Sequence, residues 1–223
     1  MWSWIEKLIS VTIALSAIAV AAAVLHRTYS AGGSGEEDGP PKYEKAWKEA
    51  LSIGTPVMGR NAAPIKIVTL FDLECPACAS FHRNISKVAA KYPDEVQVVY
   101  VTFPLDYHRF SRSAARAGEC ANEVGSYSRW VDVVFAKQDS LGLKSWGSFA
   151  MEAGISDTAR ISACATAEAA TPSIEHGLAF GKKIKLTATP TVMVNGWRFA
   201  RPPSEQEIDS VIVELRGGSI RGD

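Results

Sequence analysis

The sequence lacks a charge bias. Lysine plus arginine and aspartate plus glutamate number 24 each, and no basic stripe interrupts the pattern, so the electrostatic footprint of a nucleic-acid-binding domain is missing. Cysteine is scarce. Cys75, Cys78, Cys120 and Cys164 are far too few for a disulfide-stapled miniprotein, and 223 residues are enough to build a core without such staples. There is no second C-x-x-C, no internal repeat and no second catalytic motif. A structural zinc site needs two further ligands at suitable spacing, and His82, four residues after Cys78, is the one candidate nearby. What remains is ordinary in bulk: 47% apolar and 22% charged residues, the composition of a globular chain of one or two domains.

Residues 8–25 carry no charge and span ~27 Å as a helix, close to the hydrocarbon thickness of a bilayer. Lys7 precedes the run, His26 and Arg27 follow it, and Trp2 and Trp4 suit a membrane interface. An uncleaved anchor is favoured over a cleaved signal peptide because the run exceeds the usual h-region, although the small residues 19–23 offer a cleavage site. Either reading carries the rest of the chain across the membrane, into a compartment where disulfides persist. Residues 30–41, SAGGSGEEDGPP, read as a solvated tether.

The motif Cys75-Pro76-Ala77-Cys78 follows a short apolar run at 65–71 and opens a helix-compatible stretch ending near Tyr92-Pro93. Only a thiolate attacks a disulfide, and the free N–H groups and dipole of a helix N-terminus stabilise one. The spacing puts both sulfurs on one face of the first turn, and Pro76 suits a position where a missing N–H costs little.

The rest of the pattern is α/β. A helix is expected over 42–53, ended by Gly54 and Pro56, with a turn at 59–64. Strands follow at 65–71 and 96–101, the second buried on both faces, and the helix between them makes a right-handed βαβ crossover. Some 80 mainly helical residues come next, with helices at 111–124, 127–138, 145–153, 158–169 and 174–183. The run 191–194, the Asn195-Gly196 turn and the run 197–200 read as a hairpin. Ser204 to Glu207 forms a capping box before a helix at 208–215. The strands flank the inserted helices, so one sheet is more economical than two domains.

These residues resemble the DsbA-like branch of the thioredoxin superfamily over about 43–215. The resemblance rests on Phe71-Asp72-Leu73-Glu74-Cys75-Pro76-Ala77-Cys78, on Phe103-Pro104-Leu105 with His108, and on Thr189-Pro190-Thr191 before the hairpin. It implies a thioredoxin fold with an inserted helical domain, which the uncharged run at 8–25 would precede as an N-terminal transmembrane helix. The division is a signal-anchor at 1–29, a linker at 30–41, the DsbA-like domain at 42–216 with its insertion at about 106–186, and a tail at 217–223. It further implies that Cys75 attacks, that Cys78 resolves, and that Pro190 has a cis peptide bond beside the pair. Such a bond would leave the Thr189 backbone open to an extended substrate segment.

Two departures from the strongest oxidants of that branch stand out. The middle dipeptide is Pro-Ala where those members often carry Pro-His, and the Glu74 carboxylate beside Cys75 is expected to raise its pKa. Both favour a less oxidising couple. Asp72 is read as a proton acceptor for the resolving thiol or as an exposed strand-end carboxylate. His82 is read as a helix-surface residue, His108 as a satisfied loop residue, and Trp130 and Phe135 as core. Cys120 and Cys164 are two separate thiols or a disulfide pinning two inserted helices, and an oxidising compartment favours the bridge.

The function expected is an extracytoplasmic thiol–disulfide oxidoreductase, membrane-anchored or secreted if the segment is cleaved, working in the oxidase direction. It would need no metal or organic cofactor. Its partners would be unfolded or cysteine-containing proteins and a membrane or extracytoplasmic redox protein that resets the pair. The alternatives are an anchored chaperone or binding module with a structural cysteine pair, and a metal chaperone using Cys75, Cys78 and His82.

Overall fold

A computed structural model of the chain describes residues 39–217. The expected membrane segment, most of the tether and the tail from 218 lie outside the described residues. Among the described residues, no helix is long and apolar enough to cross a membrane.

Six strands form one mixed sheet: β1 (Lys42–Tyr43), β2 (Thr55–Gly59), β3 (Ile65–Phe71), β4 (Val96–Thr102), β5 (Thr191–Val194) and β6 (Trp197–Arg198), in the order β1-β6-β5-β3-β4-β2. Only β3 and β4 run parallel, in register from Ile65↔Val96 to Phe71↔Thr102. Helix α1 (Trp47–Ile53) precedes β2, and α2 (Pro76–Lys91) is the crossover between β3 and β4. After β4 come α3 (Ser111–Glu123), α4 (Tyr127–Ala136), a 3₁₀ turn (Gln138–Ser140), α5 (Trp146–Glu152), α6 (Thr158–Thr166) and α7 (Pro172–Lys183). Helix α8 (Glu205–Arg216) closes the fold after the hairpin.

The period-2 alternation of β3 separates two cores. Ile65, Ile67 and Phe71 face α2, α4 and α8, where Ile85, Val88, Val134, Phe135, Ile208 and Ile212 are buried with them. Val68 and Leu70 face the other way, onto Trp47, Ala50, Phe180 and Ile184 of α1, α7 and the turn after α7. Every residue of β4 is buried, as expected of a strand covered on both faces.

The expected helical block at 106–186 therefore divides. Helices α3 to α6 pack around Trp130, Phe149 and Ile161, and Cys120 of α3 is joined to Cys164 of α6 by a disulfide. Helix α7 instead lies on the sheet. The close approach is made at Gly177, where a Cβ would stand 2.0 Å from the Thr102 carbonyl oxygen.

Two strands escaped the sequence reading. Residues 42–43 pair with 197–198 rather than starting a helix, so α1 begins only at Trp47. Residues 55–59, read as a helix stop and the start of a turn, pair antiparallel with β4. Pro56 is tolerated there because β2 is an edge strand and its register slips between Pro56 and Met58. The hairpin turn is as expected, with Asn195 at φ 45° and Gly196 at φ 90°. Asn195 also accepts the Lys66 N–H at 2.7 Å, locking the turn to β3. The capping box at Ser204 and Glu207 is formed.

Gly177→Ala should destabilise the protein by roughly 1–3 kcal/mol in urea unfolding, because the methyl has no room between α7 and β4. Replacing Cys120 and Cys164 together by alanine should cost roughly 2–4 kcal/mol, since a closed loop of 44 residues is released in the unfolded chain.

Candidate active site

Strand β3 ends at Phe71, and four residues later Cys75 is the N-cap of α2 with extended backbone (φ −76°, ψ 119°). Pro76 opens the helix without a donor to lose. Cys78 lies one turn further on. Both cysteines are reduced and buried, Cys75 at 7% exposure and Cys78 at 2%.

Their environments differ in sign. The Cys75 thiol is pushed down to about 5, first by a hydrogen bond from the Cys78 thiol and further by Thr189 and the backbone N–H groups of Cys78 and Ala77, against an opposing effect of burial. Hydrogen bonds to the charged form account for this direction. Burial pushes Cys78 well above its ordinary value, and the neighbouring Cys75 adds to it. The Glu74 carboxylate, which stands next to Cys75 in the chain, accepts the Phe110 N–H at 2.5 Å.

Thr189 faces the pair from the turn before β5. Its carbonyl accepts from Cys75 Sγ at 3.4 Å, and the Thr189–Pro190 peptide bond is cis. The backbone N–H of Asp72 donates to Cys78 Sγ at 3.5 Å.

The expected exposed alternative for Asp72 is overturned: the residue is 1% exposed. Its Oδ1 accepts the Glu74 N–H at 2.8 Å, and its Oδ2 accepts from the Leu105 N–H at 2.7 Å and from His108 Nδ1 at 2.8 Å. A buried carboxylate is tolerable only with such partners. Asp72 thereby fastens the redox loop to the segment that leads into the inserted helices.

His82 is not on the helix surface as expected but buried, with Nδ1 2.8 Å from the Tyr100 hydroxyl and Nε2 2.9 Å from Asp132 Oδ1. The signal was present, since Cys78, His82, Ile85 and Ala89 recur on one helical stripe. With both ring nitrogens engaged, His82 does not join the cysteines as a metal ligand. Among the described residues no group of three His, Cys, Asp or Glu side chains is placed to hold a metal. Gln138, which no motif marked, reaches the redox loop from the 3₁₀ turn and donates to the carbonyls of Leu73 and Cys75.

A βαβ unit with a C-x-x-C pair at its helix start, a helical insertion and a cis-proline turn facing the sulfurs defines a DsbA-like arrangement of the thioredoxin fold. The family model described as thioredoxin (Thioredoxin_4) matches residues 51–214, and the chain belongs to that family. Among solved structures, oxidised BdbD from Bacillus subtilis superimposes with a TM-score of 0.64 at 22% identity, covering 80% of this chain and 98% of that one. Wolbachia pipientis α-DsbA1 gives 0.62 at 23%, covering 74% and 92%. A periplasmic thioredoxin-like protein from Salmonella enterica serovar Typhimurium gives 0.60 at 18%, covering 78% and 97%. At these identities the likeness is one of fold. Curated relatives include the Na(+)/H(+) antiporter NhaA of Herminiimonas arsenicoxydans, 29% identical over 163 residues, which are 73% of this chain and 26% of that protein. The chain spans about a quarter of the length of the curated relatives it matches.

The depressed Cys75 thiol sets two pH dependences. Iodoacetamide alkylation of the reduced protein should rise with a midpoint near pH 5 and reach a plateau above it, with Cys78 lagging throughout. A folded-state pKa below the unfolded value contributes stability that is complete above pH 9 and lost as pH falls through about 5. The reduced form should therefore lose stability relative to the oxidised form over that window, as followed by urea unfolding of each.

Proposed function

We propose that this chain is an extracytoplasmic thiol–disulfide oxidoreductase that exchanges disulfides with cysteine-containing proteins. The observation that carries the reading is the asymmetry of one helical turn: a thiol lowered to about 5 at the N-cap, and its partner raised and buried one turn inward. A merely structural pair has no need of that difference, whereas an attacking and a resolving thiol do.

In the oxidase direction the pair starts as a Cys75–Cys78 disulfide. A substrate thiolate attacks Cys75 Sγ, a mixed disulfide forms, and Cys78 leaves as a thiolate and takes up a proton. A second substrate thiolate then attacks the substrate sulfur of the mixed disulfide. The substrate disulfide forms, Cys75 leaves as a thiolate, and two electrons have passed to the enzyme. Stabilising the Cys75 thiolate stabilises the reduced enzyme, and this favours oxidation of substrates over reduction. In the reverse direction Cys75 attacks a substrate disulfide and Cys78, once deprotonated, resolves the mixed species.

Thr189 and Pro190 are the natural docking edge for an extended substrate segment, because they face Cys75 from across the fold. Asp72 is better suited to holding the loop than to shuttling a proton, its oxygens being occupied. The chemistry uses only the two cysteines, with no organic cofactor or metal, and a membrane or extracytoplasmic redox protein would reset the pair. An N-terminal anchor at residues 8–25 would keep the domain near such a partner. The fold likeness to a periplasmic protein supports the compartment, and the kinship with part of a Na(+)/H(+) antiporter supports attachment to a membrane.

Cys78→Ala should accumulate mixed disulfides between Cys75 and substrate proteins, visible as species that disappear with reductant. Cys75→Ala should accumulate none. Equal trapping by both variants, or by neither, would contradict the reading and favour a binding module with a structural pair.

A further inference from the structure

Gln138 stands outside every expectation drawn from the sequence, yet it makes the direct side-chain link from the far side of the inserted helices to the redox loop. Its amide nitrogen lies 2.7 Å from the Leu73 carbonyl oxygen and 3.0 Å from the Cys75 carbonyl oxygen. Two carbonyls accept only from N–H groups, so the contacts themselves decide which amide atom faces the loop.

The residue is anchored from behind. Helix α4 ends just before it, and Phe135 packs against Phe71 at 5.9 Å and against His82 at 5.0 Å between ring centroids. Asp72 and Glu74 hold the same loop from the opposite side, through Leu105, His108 and Phe110. Residues 72–75 are thus gripped between the entrance to the insertion and the end of α4.

We propose that Gln138 is a positioning residue of the redox couple: by holding the carbonyls of Leu73 and Cys75 it fixes the N-cap conformation in which the Cys75 sulfur meets the first-turn N–H groups. The proposal deepens the thiol–disulfide reading and rests on it. The Cys75 carbonyl already accepts the Ala79 N–H at 3.2 Å, the first bond of α2. The Gln138 amide is its second donor, and it supplies a side-chain donor to the Leu73 carbonyl. Each carbonyl presents a negative dipole end close to a sulfur that must carry negative charge. With the amide removed, the Leu73 oxygen loses its side-chain donor and the Cys75 oxygen keeps only the Ala79 N–H, the N-cap loosens, and the thiolate loses part of its stabilisation relative to the thiol. A buried carbonyl left without its donor is costly, so the loop will move to recover one.

The test uses the full chain, comparing wild type with Gln138→Met, which keeps the length of the side chain and removes both donors, and Gln138→Glu, which puts a carboxylate against the same carbonyls. The readouts are the pH midpoint of Cys75 thiolate absorbance and the equilibrium constant with glutathione. The midpoint should rise in the order Gln, Met, Glu. The equilibrium should shift toward the oxidised enzyme by several-fold to about tenfold, equivalent to about 30 mV at the upper end. A residue that only supports the fold would lower the melting temperature of both redox forms and leave the midpoint where it was. An unchanged midpoint and potential in either folded variant overturns the proposal. A wild-type protein with no reversible transition at Cys75–Cys78 overturns instead the oxidoreductase reading beneath it.

Discussion

A thiolate can be kept inside a protein only where donors outnumber the acceptors that crowd it. At Cys75 this condition is met by the start of α2, which offers the N–H groups of Ala77 and Cys78 and the Cys78 thiol, and which has Pro76 where a donor would be wasted. The rest of the arrangement serves that contact. Strand β3, in register with β4 and β5, aims the loop at the helix start. The turn before β5 brings Thr189 and Pro190 to face the pair. Asp72, Glu74 and Gln138 tie the loop to itself and to the segments around it.

The two faces of the sheet divide the work. Trp47, Phe180 and their neighbours close one face. The other face carries α2 and the inserted helices, whose core of Trp130, Phe149 and Ile161 is cross-linked between α3 and α6. The insertion meets the redox loop at its entrance, through Phe110, and after α4, through Gln138. Rigid packing behind the loop makes the depressed Cys75 thiol a property of the whole domain rather than of a four-residue motif.

The parts that were legible in the sequence are those with local signals. The apolar runs of β3 and β4, the Asn195-Gly196 turn, the Ser204 capping box and the C-x-x-C at a helix start each carry their own periodicity or turn chemistry. What escaped depended on long-range partners. A two-residue strand such as β1 exists only because β6 lies beside it, and β2 contains a proline that argues against a strand unless an edge is available. The burial of His82 and Asp72 follows from partners 18 to 50 residues away, which compensate for taking a polar side chain out of water. Gln138 had no local signature at all. Glu74 was legible as a charge beside Cys75 but not as one already engaged by Phe110.

The central claim is that an unequal pair of thiols at the start of α2 is a working redox couple, and its equilibrium potential in glutathione buffers tests this most directly. A Cys75 thiol near 5 lies between the attacking thiols of DsbA, at about 3.5, and of thioredoxin, at about 7. The account therefore predicts one reversible two-electron transition at a potential between about −120 and −270 mV, the values of those two proteins. No reversible transition between Cys75 and Cys78, or a potential more reducing than about −270 mV, would contradict it.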